Sequence, residues 1–345
     1  MTAQKRIIFI VNPISGTQSK KAILNWIEKR VDSTCFDYQI IKTAYAGHAF
    51  EIAVQAAKDG VDIVVAIGGD GTVNEVGRGL VHTNTALGII PCGSGNGLAR
   101  HLHIPLDYKG AVETILTGRD LCTDYGKINN RPFFCTCGVG FDAFVSLKFA
   151  DSGKRGLLTY LENALHESLT YQPETYTIED ENGSVQYKAF LIACGNASQY
   201  GNNAYITPKA SLTDGVMDVT ILQPFTVLDV PALSFQLFNK TINQNSRIKT
   251  LRTKKIKIHR NKPGVIHFDG DPVMEAKDLE VEIIPQSLHI IIPKKIGKEV
   301  DQDTVIQQIT DFLQGVHPKG KKFLTQRYNR LFELNQHLLR KLSKK

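Results

Sequence analysis

Long apolar runs are missing from this 345-residue chain, and no stretch approaches the length a bilayer-spanning helix needs. A signal peptide is not expected, because Ile7 to Val11 already reads as a strand a few residues after the start. The six cysteines include no Cys-x-x-Cys pair and no metal-ligand spacing, which argues against a disulfide framework or a zinc site. Cys135 and Cys137 alternate on a strand-like run and read as buried thiols. No loop ends in Gly-Lys-Ser/Thr, so there is no Walker A phosphate loop, and no Gly-x-Gly-x-x-Gly opens a first βαβ unit. Internal repeats and low-complexity linkers are absent as well. What remains is globular composition, 42% hydrophobic and 22% charged, in a chain long enough for two domains.

Three loops carry the chemistry. Asp62 to Ile67 is an uninterrupted, β-branched run of the kind that forms a strand buried on both faces. It runs into Gly68-Gly69-Asp70-Gly71-Thr72-Val73-Asn74-Glu75. There the glycines let main-chain N–H groups approach an anion, and the following helix adds its positive end. A plain anion nest gains nothing from a carboxylate, so Asp70 points to a metal or a reacting hydroxyl nearby. Ile7 to Val11 leads into Asn12-Pro13-Ile14-Ser15-Gly16 and a helix carrying Lys20 and Lys21. Leu87 to Ile90 leads into Pro91-Cys92-Gly93-Ser94-Gly95-Asn96-Gly97 and another helix. One such loop is a common connector, but three in series at strand C-termini point to a ligand site in an open α/β sheet.

Asn12-Pro13-x-Ser15-Gly16, Gly68-Gly69-Asp70-Gly71-Thr72-x-Asn74-Glu75 and Gly93-Ser94-Gly95-Asn96 resemble three signatures of the diacylglycerol kinase catalytic-domain family. That family includes bacterial diacylglycerol kinases and the sphingosine and ceramide kinases. Thr43-x-x-x-Gly47-His48-Ala49 resembles a fourth signature and Gly138-Val139-Gly140-Phe141-Asp142-Ala143 a fifth. Only the Gly-Gly-Asp-Gly element is shared with the more distant NAD kinases and phosphofructokinases.

The resemblance implies ATP and Mg2+ as cofactors and a membrane-lipid hydroxyl, of diacylglycerol or a sphingoid base, as acceptor. It sets the nucleotide against Asn12, Pro13, Ser15, Gly16, Thr43, Gly68, Gly69, Asp70, Gly71, Thr72, Asn74, Glu75, Gly93 and Ser94. Asp70 would reach the metal through water, and Lys20 or Lys21 would neutralise γ-phosphate charge. A structural magnesium is implied at Asp214 with the carbonyls of Ser211 and Val216, Asp218 joining through water. On its own that segment reads as a type I turn before a strand. The family's general base is the glutamate of Asp-Gly-Glu, where this chain has Asp269-Gly270-Asp271. Asp271 keeps the carboxylate but loses about 1.5 Å of reach. Cleft closure, a water, or Asp70 would have to compensate. His48 is read as the cap of a helix starting at Ala49 rather than as a base. Gly93-Ser94-Gly95-Asn96 is closer to the sphingosine and ceramide kinase form, a slight tilt towards a sphingoid base. A soluble NAD kinase-like enzyme and a catalytically impaired lipid-binding protein are the alternatives.

The apolar periodicity divides the chain. Residues 1–124 alternate strand and helix and predict an α/β domain with a mostly parallel sheet. Residues 125–288 are dominated by strand-like runs and predict an antiparallel, sandwich-like domain; the resemblance implies that it takes the lipid substrate, with the active site in the cleft between the two. Expected strands cover 131–139, 174–179, 187–194, 216–222, 254–259, 264–269 and 279–284, with a hairpin turn at Asn182-Gly183 and helical inserts near 157–168 and 227–239. Residues 289–318, with a strand at 289–292 and a helix at 304–313, are expected to return to the first domain. The tail, 319–345, carries nine Lys and Arg against one acid, Glu333, with Leu324, Tyr328, Leu331, Leu338 and Leu342 at helical steps. Such a basic amphipathic helix can lie on an anionic membrane, pack on the protein, or pair two copies into a homodimer. The expected location is cytoplasmic, peripheral to the inner face of the membrane, with no nucleic-acid partner.

Overall fold

Every residue of β3 (Ile63–Gly68) and β4 (Ala86–Pro91) is buried, as their unbroken apolar runs require of strands covered on both faces. The computed structural model describes residues 4–16, 19–152, 171–226 and 228–294. In the first domain β1 (Lys5–Val11), β2 (Phe36–Lys42), β3 and β4 form a parallel array in the order β2-β1-β3-β4. The helices α1 (Lys20–Arg30), α2 (His48–Lys58), α3 (Asp70–Leu80), α4 (Gly97–His101) and α5 (Tyr108–Thr117) connect and cover it. Ser19 caps α1 by accepting the Ala22 amide, and Asp107 caps α5 by accepting that of Gly110.

The second domain holds β5 (Arg119–Ile128), β6 (Arg131–Phe133), β7 (Thr136–Gly140), α6 (Phe141–Ser152), β8 (Glu174–Asp180) and β9 (Gly183–Ala189). It continues through β10 (Leu191–Gly195), β11 (Met217–Leu222), α7 (Val230–Phe238) and β12 (Ile248–Thr253). It ends with β13 (Lys255–Arg260), β14 (Gly264–Phe268), β15 (Asp271–Glu275) and β16 (Asp278–Ile292). An antiparallel sheet in the order β12-β11-β10-β7-β14-β15 faces the strands β16-β13-β8-β9, which extend the first domain's sheet. Between them lies an apolar core that includes Phe133, Val139, Tyr176, Ile192, Val219, Ile258 and Val281. The fold is therefore the expected pair, a mostly parallel α/β domain and an antiparallel sandwich.

Three expectations change in detail. The run 131–139 is two strands, β6 and β7, in different sheets, and 187–194 is likewise divided between β9 and β10. Both sit at corners where the chain passes from one sheet to the other, and apolar periodicity does not register which sheet an inward residue serves. The runs 279–284 and 289–292 are one strand, β16, which pairs with β5 through a register shift between Ile284 and Leu288. The divisions placed after residues 124 and 288 thus fall inside β5 and β16, the ribbon that joins the domains. The hairpin of β8 and β9 forms around Asn182-Gly183, and α7 lies within the expected insert. The stretches 157–168 and 304–313 and the tail 319–345 lie outside the described residues.

Helix α3 carries glycines in its interior, which ordinarily weakens a helix by about 1 kcal/mol each relative to alanine. Packing supplies the reason. A Cβ on Gly79 would stand 2.7 Å from the Ala53 Cβ and 3.0 Å from the Phe50 carbonyl, so α2 and α3 cross with backbones nearly touching. A Cβ on Gly77 would strike the Phe134 ring at 2.8 Å. Gly79→Ala should therefore destabilise despite its better helix propensity, since overpacking costs about 1–3 kcal/mol. The expected loss is a lower urea midpoint at unchanged slope, and an unchanged or higher midpoint would refute the close crossing.

Candidate active site

The three glycine-rich loops meet above the C-terminal ends of β1, β3 and β4. The Asn12 amide donates to the Thr72 hydroxyl at 3.0 Å, tying the first loop to the second. Gly16, at φ +60°, passes so close to the Cys92 carbonyl that a Cβ would lie 1.6 Å from the oxygen. Gly69 and Gly93 touch backbone to backbone, a Cβ on Gly93 falling 2.8 Å from the Gly69 Cα. Only glycine allows these contacts. Ser15 donates from its hydroxyl to the Asn12 carbonyl, and Lys20 reaches the Ser15 carbonyl at 2.6 Å, bringing its ammonium to the loop. The Thr43 amide donates to the Val11 carbonyl at the end of β1.

The conspicuous carboxylates here are mostly fasteners. Asp70 accepts the amides of Asn96 at 2.9 Å and Gly97 at 2.8 Å, so both its oxygens hold the start of α4. Burial raises its pKa from the ordinary carboxylate range, against the pull of those amides. Asn96 sits at φ 50° and closes its own loop by accepting from the Gly93 amide and donating to the Gly93 carbonyl. Glu75 accepts the amides of Gly47 and Ala49, at 2.9 and 3.2 Å, and so caps α2 from α3. His48 is accordingly not that helix's cap; its Nδ1 accepts the Ala44 amide at 3.0 Å, and its ring stacks on Tyr45.

Asp269 joins the two domains. Its carboxylate accepts the amides of Phe134, Cys135 and Thr136 at 2.8, 2.7 and 3.1 Å, and the Asn74 side-chain amide of α3 at 2.8 Å. The residue stands at φ 49°, followed by Gly270 at φ 89°. This left-handed pair forms the turn from β14 to β15, and Asp271 follows it as the first residue of β15. Asp271 is exposed, and its oxygens accept no hydrogen bond among the described residues. Loss of hydration against the surrounding protein, followed by the nearby Asp269 carboxylate, pushes it up to about 6; Glu75 and Asp70 add to this and Arg78 opposes it. A cleft of about 350 Å³ lined by Phe50, Arg78, Asn130, Arg131, Pro132 and Phe268 lies between the domains, Phe268 being the cross-strand partner of Asp271. Ser94 makes no polar side-chain contact among the described residues.

Sequence reasoning gave no role to Asp124 and named Asp142 only as part of the fifth signature. Asp124, in β5, accepts the amides of Gly215 at 2.7 Å and Gln286 at 2.8 Å, pinning the Asp214 turn to the irregularity in β16. Asp142, at the start of α6, accepts from the Tyr200 hydroxyl and from His267 Nε2, both at 3.0 Å, beneath a bare Gly138. The only available signal was a Gly-x-Gly-x-Asp element ahead of a helix; His267 carried none.

The segment of the expected structural magnesium site holds Asp214 and Asp218 around one turn, with Arg252 beside them. Asp214 is engaged by the Val216 amide and by the Arg252 guanidinium, and Arg252 Nε also lies 3.3 Å from Asp218. Among the described residues no three metal-ligating side chains cluster.

Asp269→Ala should lower stability by about 3–5 kcal/mol, because four buried donors lose their acceptor together. Its unfolding midpoint is the check, and a loss below about 1 kcal/mol would show that the junction does not depend on this carboxylate.

Comparison with known proteins agrees with this architecture. Residues 6–128 match the diacylglycerol kinase catalytic domain, and residues 135–292 match the YegS C-terminal NAD kinase beta sandwich-like domain. A Klebsiella pneumoniae (strain 342) protein named "Probable lipid kinase YegS-like" is 29% identical over 74% of this chain and 86% of its own length. A Bacillus subtilis (strain 168) protein named "Diacylglycerol kinase" is 26% identical over 86% of this chain and 99% of its own. The crystal structure of a diacylglycerol kinase from Bacillus anthracis str. Sterne shares the fold at TM-score 0.67 and 21% identity, covering 86% of this chain and 100% of that one. With both domains matched and the same two-sheet architecture observed, the chain belongs to the diacylglycerol kinase catalytic-domain family of lipid kinases.

Proposed function

We propose that the protein transfers the γ-phosphoryl group of magnesium-ATP to a hydroxyl of a membrane lipid, diacylglycerol or a sphingoid base. One observation carries the reading. Asp269, two residues before the exposed Asp271, is bonded to Asn74 of α3, and the carboxylates of Glu75 and Asp70 act on Asp271 from the glycine-rich loop side, which supports Asp271 as the group facing the nucleotide. The main-chain amides of Gly69, Gly71 and Thr72, with those beside Ser15 and Gly16, hold the phosphates, and Lys20 faces their charge. Asn12, Asn74, Glu75 and Asp70 act by fixing the loops. The acceptor hydroxyl attacks the γ-phosphorus in line, Asp271 takes its proton, and ADP leaves with the bond to the bridging oxygen. Such chemistry depends on position and electrostatics and needs no covalent nucleophile. When bound, magnesium supplies charge neutralisation on the phosphate oxygens.

No helix among the described residues is long and apolar enough to cross a membrane. The basic tail, 319–345, brings the enzyme to an anionic membrane surface in this reading. Deleting 319–345 should abolish binding to anionic vesicles while leaving turnover in mixed micelles. Unchanged vesicle binding would remove the tail from the reading.

The deciding assay follows labelled γ-phosphate into diacylglycerol, sphinganine, sphingosine and ceramide in mixed micelles, with NAD offered without detergent. A labelled lipid that disappears with Asp271→Asn is expected, and labelled NADP would overturn the proposal. The base works ionised, so kcat/KM should rise with pH through about 6 and level off above it. A flat profile from pH 5 to 8 would relieve Asp271 of that role.

A further inference from the structure

We propose that Gly201, on the 198–203 loop of the second domain, is a positioning residue for the nucleotide, because this loop sets the shape of the Gly93–Gly97 loop of the first domain. The inference rests on the proposed function, in which Ser94 faces the nucleotide. The 198–203 loop follows β10 and carries successive positive φ angles, 120° at Gly201, 49° at Asn202 and 62° at Asn203. Glycine and asparagine reach that region most readily. The loop is nevertheless buried at Ser198, Gln199 and Asn203, and the Gln199 side chain closes it by accepting the Asn203 amide at 3.0 Å. Tyr200 fastens it to α6 by donating to Asp142. Backbone in so restricted a conformation persists only where its surroundings hold it.

The tip of this loop closes on Gly95. The Asn202 amide donates to the Gly95 carbonyl at 3.2 Å, and Arg100 Nε donates to the same oxygen at 3.0 Å. A Cβ on Gly201 would stand 3.0 Å from the Gly95 Cα and 3.1 Å from that oxygen, so the two backbones meet with no room for a side chain. Beside this contact, Ser198 donates its amide and its hydroxyl to His101 Nδ1 at 3.1 and 2.9 Å. Burial brings that imidazole down to about 4, so the ring stays neutral and accepts both at neutral pH. Gly93 and Asn96 are fixed from within the first domain, by the Asn96 side chain and by Asp70. The Gly95 carbonyl, between Ser94 and Asn96, is instead held from both domains. A displaced Gly95 therefore moves Ser94 next to it, and in a site that works by placing groups about 1 Å of misplacement costs roughly 100-fold.

The test is binding of a fluorescent ATP analogue, with magnesium and without lipid, to the full chain as wild type and as Gly201→Ala. The added methyl group and the positive φ both push against Gly95, so Kd should rise about tenfold. In turnover the KM for ATP should rise by a similar factor while the KM for lipid in mixed micelles stays within about twofold, a split that general loosening of the fold does not produce. Wild-type affinity in a folded Gly201→Ala protein would overturn the inference and leave the functional reading standing. A wild type that binds no nucleotide would overturn both. If the variant does not fold, amide hydrogen exchange of wild type decides. Nucleotide should then slow exchange in 198–203 as well as in 93–97, and protection confined to the first domain refutes the second domain's part.

Discussion

The Asp269 carboxylate is the constraint on which the site depends. It lies in a left-handed turn between two strands of the second domain, yet three of its four donors are amides preceding and beginning β7, and the fourth is a side chain of α3. A single group therefore sets the turn that carries Asp271, the entry to the central strand of the sandwich, and the docking of α3. Burial drives its pKa upwards, and the four donors oppose that shift, so the hydrogen bonds are what makes the charge tolerable there.

The same logic extends to the other acidic residues. Asp70, Glu75 and Asp124 each accept two backbone amides from a neighbouring loop or strand, and each joins segments distant in sequence. A carboxylate suits this work because glycine-rich loops leave amides without secondary-structure partners, and an ionised acceptor binds them more strongly than a neutral one. In the proposed function the loops, held in this way, present their remaining amides to phosphate. Asp271 differs from these in being exposed, its carboxyl accepting no hydrogen bond among the described residues.

The architecture was largely legible because buried parallel strands and alternating sandwich strands leave different apolar periods. Asp62 to Ile67 and Leu87 to Ile90 appear where their runs placed them, within a residue or so at each end. The sheet crossings at Phe134 and Phe190 were not legible, because an inward aromatic looks the same whichever sheet it leaves. Nor was the continuity of β16, since Pro285-Gln286-Ser287 reads as a break, whereas Gln286 takes a positive φ and hands its amide to Asp124. The glycine loops announced a phosphate site. Whether a carboxylate in them reacts or fastens depends on amides far along the chain, as Asp70 and the pairing of Asp269 with Asn74 show.

These contacts bear on how an aspartate would serve where the family resemblance implies a glutamate. A large closing of the cleft is disfavoured at Asp271, because Asn74 already bonds Asp269 two residues away and β5 and β16 pair on both sides of their register shift. Substitution by Asp70 is disfavoured too, since using either oxygen would release the start of α4. Adjustment must then be local. Gly270, at φ 89° with open space where a Cβ would stand, leaves the turn free to shift by small changes that a side chain would resist. A water between Asp271 and the acceptor would close the missing length as well. Both routes preserve the Asp269 junction, and both keep Asp271, with a pKa of about 6, in the role proposed for it.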